Sequence, residues 1–296
     1  MTSEEADTAA SVRLRVGCEL RLESEEPVPV VMLVRARPNV EHRTVYESHW
    51  SKPEVPIREY VDGFGNFCWR LTSPPGVPFT VRYDAIVETD REPDPVHPGV
   101  ELTPVQELPD ETLVFTLPSR YIQSDLLMDE AWTLFGQPAP TWERVQAVCD
   151  WVHGNVAYEG GSSGPKTTAL DVFQSRKGVC RDFALVSVAF CRALNIPARY
   201  TFGYLPDIAV PPPDTPMDFH AWFEAYLGGR WYTFDARHNR PRIGRVIVGY
   251  GRDAADVALS TSYGALELTN FTVWADEIHP DEGDEHLRED ALPPAR

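Results

Sequence analysis

The chain has 296 residues, enough for two domains at roughly 150 residues each and enough to bury a core without metals or disulfides. Lys and Arg number 27 against 45 Asp and Glu, a net charge of −18 that sets the chain against nucleic-acid phosphates and anionic lipid surfaces. No apolar run approaches the roughly 18 residues of a membrane span. The acidic Met1–Glu5 start is unlike a secretory signal. The five cysteines (18, 68, 149, 180, 191) form no C-x-x-C pair, which argues against a disulfide framework or a structural zinc and fits a reducing cytoplasm.

Residues 1–10 are expected to be disordered, and residues 11–90 to form an N-terminal antiparallel β-sandwich. Val12 to Val16 alternates apolar and charged side chains, as a half-buried strand does, and Phe79 to Tyr83 alternates again. Val28 to Val34 is Val-rich but broken by Pro29. Asp62-Gly63, Gly65-Asn66 and Pro74-Pro75-Gly76 mark turns. Five prolines between residues 91 and 109 predict an extended linker over 91–117.

From residue 118 the period changes and an α+β core is expected to run to 275. Helices are predicted over 125–135, over 142–153 with Thr141 and Gly154 as caps, and from Thr168, where Thr168 and Asp171 have capping-box spacing, to a stop at Gly178. The segment from Cys180 to Asn195 is apolar on nearly every face and reads as a buried central helix. Strands are predicted at 198–205, 219–227, 230–235, 245–249 and 269–275, with Gly228-Gly229 as a hairpin turn. Residues 276–296, rich in acids, read as a flexible tail.

Cys180 is expected to open its helix, where unpaired N–H groups and the helix dipole favour a thiolate. Cys68, Cys149 and Cys191 read as small core residues. A nucleophilic thiol needs a base and the base an orienter. With Gly228-Gly229 as the turn, residues whose numbers sum to 457 face each other. His220 and Asp235 then fall on one face as diagonal neighbours, within side-chain reach. A one-residue slip would separate them. A helix-start Cys with His and Asp on one hairpin face is the arrangement acyl transfer uses. A metal set of Asp218, His220, Asp235 and His238 lacks any metal motif and leaves Cys180 unexplained.

Gly178-Val-Cys180-Arg-Asp-Phe-Ala, Asp218-Phe-His220-Ala-Trp-Phe-Glu-Ala-Tyr and Arg230-Trp-Tyr-Thr-Phe-Asp235, in this order, resemble the transglutaminase-like cysteine-enzyme superfamily. Ile243-Gly-Arg-Val and Gly251-Arg-Asp-Ala-Ala-Asp256-Val resemble its bacterial branch, which also has an N-terminal β domain. The resemblance implies a papain-like core, with the Cys180 helix packed on an antiparallel sheet that carries His220 and Asp235. It also implies a thioester intermediate. The chain departs from that pattern at Asp235-Ala-Arg, where animal transglutaminases usually have Asp-Pro-Thr, and at Leu185, where many bacterial relatives have His.

On this reading Cys180, His220 and Asp235 form a catalytic triad, and the Cys180 backbone N–H is an oxyanion donor. Trp222 and Tyr158 are candidates for a second donor, while Asp182 suits the helix dipole better than chemistry. Pro211 to Pro216 forms a stiff loop at the rim, and Arg252 with Asp253 reads as a structural ion pair. The expected activity is that of a cysteine peptidase or amidohydrolase on a peptide or protein amide, with no cofactor and no metal. A glutamine transglutaminase and a non-catalytic binding module on the same fold are the alternatives.

Overall fold

The alternation at Val12–Val16 extends well beyond five residues. Strand β1 runs Ser11–Glu23, with Val12, Leu14, Val16, Cys18, Leu20 and Leu22 all buried on the period of two that sends alternate side chains to one face. The computed structural model describes residues 11–38, 42–137, 139–211 and 215–278. The N-terminal segment 1–10, residues 279–296 of the acidic tail and residues 212–214 of the Pro-rich loop lie outside the described residues.

After β1 come β2 (Val28–Met32), β3 (His42–Lys52), β4 (Arg58–Val61), β5 (Phe67–Ser73) and β6 (Phe79–Asp90). A two-residue parallel pair, β7 (Ala157–Tyr158) and β8 (Lys177–Gly178), precedes β9 (Ala198–Tyr204), β10 (His220–Leu227), β11 (Arg230–Phe234) and β12 (Val246–Gly251), of which β12 returns to pair with β9. The last strands are β13 (Ser260–Ser262) and β14 (Glu267–Glu277). They form three four-stranded antiparallel sheets, ordered β14-β1-β6-β3, β13-β2-β5-β4 and β11-β10-β9-β12.

The first two sheets meet face to face: Trp69 and Tyr83 contact edge to face at 5.7 Å, and the Tyr83 hydroxyl accepts the Ala36 N–H at 3.0 Å. The third sheet joins them through Tyr204, whose hydroxyl donates to the Val34 carbonyl at 2.7 Å, and through Asn66, which bridges to Tyr250. The fold is α+β. Helices α1 (Met128–Phe135), α2 (Trp142–Asn155) and α3 (Ala169–Ser175) surround α4 (Cys180–Ala193), which lies against β9 and β10. Enclosure on all sides explains why α4 is apolar all round: Phe183 to Ala193 are all buried.

Several boundaries differ from expectation. The predicted strand 269–275 forms within β14 but leaves the core: it pairs with β1 from Leu14 opposite Glu277 to Glu23 opposite Glu267. Asp276 and Glu277, expected in the flexible tail, are part of it. Strand β3 and the edge strands β4 and β13 carried no clear alternation, because one face of each is exposed and the apolar residues are few. The Pro-rich segment is less extended than expected, with helical turns at Val105–Glu107, Asp110–Leu113 and Val114–Thr116. Pro104 and Pro109 sit just before the first two, where a missing N–H goes unfelt.

Helix α2 runs through Gly154 to Asn155, and α3 ends at Ser175 because Arg176 takes the left-handed conformation at φ 58°. The Thr168–Asp171 capping box forms, with Asp171 N–H on Thr168 Oγ1 at 3.3 Å and Thr168 N–H on Asp171 Oδ2 at 2.9 Å. Arg252 pairs not with Asp253 but with Asp256, at 2.9 Å; Asp253 is buried and accepts the Tyr121 backbone N–H at 2.8 Å.

Candidate active site

The β10–β11 hairpin has the register that the turn arithmetic requires: Phe223 faces Phe234 and Leu227 faces Arg230. His220 and Asp235 therefore share a face, and His220 Nε2 lies 2.8 Å from Asp235 Oδ2. Cys180 begins α4, which packs on β10, and its Sγ lies 4.0 Å from the carbonyl oxygen of Phe219, the residue before His220. The thiol is close enough to the His220 ring to help raise its imidazole. Nε2 is engaged by Asp235, so Nδ1 is the nitrogen left for sulfur. Cys180 is partly exposed, whereas Cys18, Cys68, Cys149 and Cys191 are buried. Desolvation pushes the Cys18 thiol up to about 12 and the Cys68 thiol to about 11, and raises those of Cys149 and Cys191.

Asp235 is held as an anion from two directions. Its Oδ2 accepts from His220 and from Arg245 Nη2 at 2.9 Å; its Oδ1 accepts the backbone N–H groups of Arg237 at 3.1 Å and His238 at 3.2 Å. Burial alone would raise its carboxyl. The charges of His220 and Arg245 outweigh burial and hold it well below the usual carboxylate range. For His220, burial works downward, but the Asp235 charge and hydrogen bond, helped by the Cys180 thiol, lift it to about 9. The two findings agree: the imidazolium and the carboxylate stabilise each other.

Arg245 extends this chain of charges. Its Nε reaches both carboxylate oxygens of Asp94, at 2.8 and 3.0 Å, and its guanidinium lies 5.0 Å from the centre of the Trp222 ring. Sequence reading missed this pair. Asp94 and Arg245 are 151 residues apart, and Asp94 lies in a stretch that reads as linker. Arg245 itself was legible as the first residue of a strand and as part of the Ile243-Gly-Arg-Val motif, with no role in the site assigned to it.

The other candidates are placed as follows. Trp222 is buried behind His220, the rings stacked at 6.1 Å, and its indole N–H has no partner among the described residues. Tyr158 is half exposed, with the Arg237 guanidinium 3.9 Å from its ring centre. Asp182 is fully buried and accepts the Val179 N–H at 2.8 Å, closing the first turn of α4. His238 packs against His220 at 4.7 Å, and burial, with the repulsion of nearby cations, holds it down at about 3 despite Asp235. The ligand atoms of His220, Asp235 and His238 lie within 4.8 Å of one another. A cation placed among them would meet the Arg245 guanidinium on the Asp235 oxygen, so the set fits a metal poorly.

A cleft of about 420 Å³ opens over the sulfur. Phe202, Phe219, Val257 and Leu259 line it, with Arg181, Asp218 and His220 as its charged members. Arg181 is satisfied: it donates to the carbonyls of Gly164 and Thr167 and to Asp182. Asp218 accepts only its neighbour's N–H, from Phe219 at 2.7 Å, among the described residues.

Residues 133–236, which contain Cys180, His220 and Asp235, match the model of the Transglutaminase-like superfamily. A candidate cysteine protease of known structure from Cytophaga hutchinsonii is similar over 91% of each chain, with 34% identity and a TM-score of 0.82. The chain belongs to the transglutaminase-like superfamily. An uncharacterised Mycobacterium leprae protein is 33% identical over 44% of this chain, and the match spans 48% of that protein's length. An uncharacterised Mycobacterium tuberculosis protein is 27% identical over 66% of this chain and 68% of its own. No helix among the described residues is long and apolar enough to cross a membrane.

Proposed function

We propose that this protein is a thiol-dependent acyl-transfer enzyme, a cysteine peptidase or amidohydrolase acting on a peptide or protein amide. The observation that carries this reading is the 2.8 Å contact of His220 Nε2 with Asp235 Oδ2 beside a partly exposed, helix-start Cys180. Cys180 sulfur, its proton already held on His220 Nδ1, attacks the amide carbon. The carbonyl oxygen becomes an oxyanion, which the Cys180 backbone N–H faces at the start of α4. His220 returns the proton to the leaving nitrogen, and the C–N bond breaks to leave a thioester. Water then attacks the thioester carbon, giving a proton to His220, and the C–S bond breaks to release the carboxylic acid and restore Cys180 sulfur beside the protonated His220. Asp235 fixes the imidazole tautomer and stabilises the imidazolium. Five free thiols suit a reducing compartment, and a cytoplasmic setting is part of the proposal.

The test is iodoacetamide alkylation read cysteine by cysteine by mass spectrometry, in the wild type and in His220→Ala. Cys180 is expected to react well ahead of Cys18, Cys149 and Cys191, and to slow in the variant. If Cys180 reacts no faster than they do, or His220→Ala leaves its rate unchanged, the triad reading is wrong and a non-catalytic role replaces it. Product analysis with an amide library then separates release of free acid from transfer to an amine.

A further inference from the structure

The outward face of the β13-β2-β5-β4 sheet sets two arginines directly opposite each other on neighbouring strands. Its register sets Thr261 opposite Val31, Val31 opposite Arg70, and Arg70 opposite Arg58, one row across all four strands. Val30, Met32, Trp69 and Leu71 are buried on the inner face, so by alternation Val31 and Arg70 point outward. Two arginines directly opposite each other on neighbouring strands repel. Neither meets a carboxylate among the described residues, in a chain with 45 acids and 27 bases. Glu59, beside Arg58, faces the other way and holds Arg35 and the Trp69 indole N–H. The β1-β6-β3 sheet shows the ordinary solution: Arg13 and Arg43 flank Glu88 in register, and both pair with it.

Over this row lies a concavity of about 570 Å³, lined by Arg58, Arg70, Tyr60, Tyr263, Val31 and Pro29. Two forked cations, two aromatic walls and an apolar floor match a ligand that offers carboxylates on a chain with apolar substance between them. The space is too broad for a single phosphate and has the size of a site for a small molecule or a short peptide.

We propose that this face binds an acidic peptide segment of a partner protein, gripped by Arg58 and Arg70 and flanked by Tyr60 and Tyr263. The site is separate from the thiol cleft, and the inference does not depend on the catalytic reading. The repulsion from a −18 chain means that an acidic peptide has little reason to bind anywhere else on the surface.

The experiment is fluorescence anisotropy of fluorescein-labelled hexaglutamate with the full chain at low ionic strength. Saturable binding that weakens with added salt is expected. Arg58→Glu and Arg70→Glu should each reduce affinity at least about ten-fold. Arg43→Glu on the other sheet should leave affinity unchanged, and circular dichroism checks that the variants fold. Absence of saturable binding, or equal loss in Arg43→Glu, overturns the proposal. Displacement by millimolar inorganic phosphate as effective as by unlabelled hexaglutamate also overturns it, in favour of a phosphate site. A synthetic peptide of residues 279–296 that binds far more tightly than hexaglutamate would overturn the partner assignment and give the face to the chain's own acidic end.

Discussion

The guanidinium of Arg245 reaches the same Asp235 oxygen that His220 uses, at 2.9 Å against 2.8 Å. A carboxylate shared in this way stabilises an imidazolium less than an unshared one, so Arg245 is placed to hold His220 closer to neutrality. Arg245→Met leaves both Asp94 and Asp235 without their buried cation and is expected to cost about 3–5 kcal/mol of stability. The double variant Asp94→Asn/Arg245→Met removes one stranded charge and should recover part of that loss. In the double variant, however, the His220 titration followed by NMR should move above its wild-type midpoint. If stability is recovered and the titration does not move, Arg245 is structural alone.

The pH dependence of stability follows from the same cluster. His220 is lifted from 6.5 to about 9 in the folded chain. Its contribution is therefore complete below pH 6.5 and is lost as pH rises through 9. His238 and His42 are shifted the other way by burial, to about 3 and about 4. Their contributions are present above 6.5 and lost as pH falls toward those values. Unfolding free energy should accordingly be greatest near pH 6.5. On the alkaline side its decline, measured by urea titration below about pH 8 to stay clear of the thiols, can reach about 1.4 kcal/mol per pH unit for one proton. His220→Gln should flatten that alkaline decline and leave the acid side intact.

What the sequence disclosed about the site is local, and what it concealed is not. A two-glycine turn and strict alternation determine which hairpin residues share a face, so the His220–Asp235 pair follows from counting. The start of α4 is equally local, since Val179–Asp182 caps it within three residues. Asp94–Arg245 and the pairing of β14 with β1 depend on contacts more than 150 residues apart. Alternation in β14 shows that a strand exists but not which edge it joins. The sandwich edges were hidden for a related reason, because a strand with one wet face and little apolar content resembles a loop.

Gly203 ties the fold to the site. It faces His220 across β9–β10 and Ile247 across β9–β12. A Cβ there would come 2.0 Å from the Val246 carbonyl oxygen, which is backbone and cannot rotate away. Gly203→Ala must therefore separate β9 from β12 and shift the strand that holds His220. A loss of about 1–3 kcal/mol is expected, with slower alkylation of Cys180 in the fraction that remains folded. Full stability in urea would show that the sheet accommodates the methyl group and that this glycine does not fix the register.

Asp218 is placed to give the thiol cleft a preference for cations. Of the cleft's two cationic groups, Arg181 is tied to two backbone carbonyls and Asp182, and His220 to Asp235, whereas the Asp218 carboxylate, beside the apolar walls, has one oxygen without a partner among the described residues. Those walls raise its carboxyl above the ordinary value, an effect that the Phe219 N–H and His220 partly offset. A cationic group entering toward Cys180 is thus attracted and an anionic one repelled. Methanethiosulfonates of similar size but opposite charge measure this directly, with modification of Cys180 read by mass spectrometry. The aminoethyl reagent should outpace the sulfonatoethyl reagent, and Asp218→Asn should shrink that ratio about five-fold, the effect of roughly 0.5 kcal/mol on each reagent from one partly screened charge. An unchanged ratio would assign the preference to the acidic surface as a whole and take the specificity role away from Asp218.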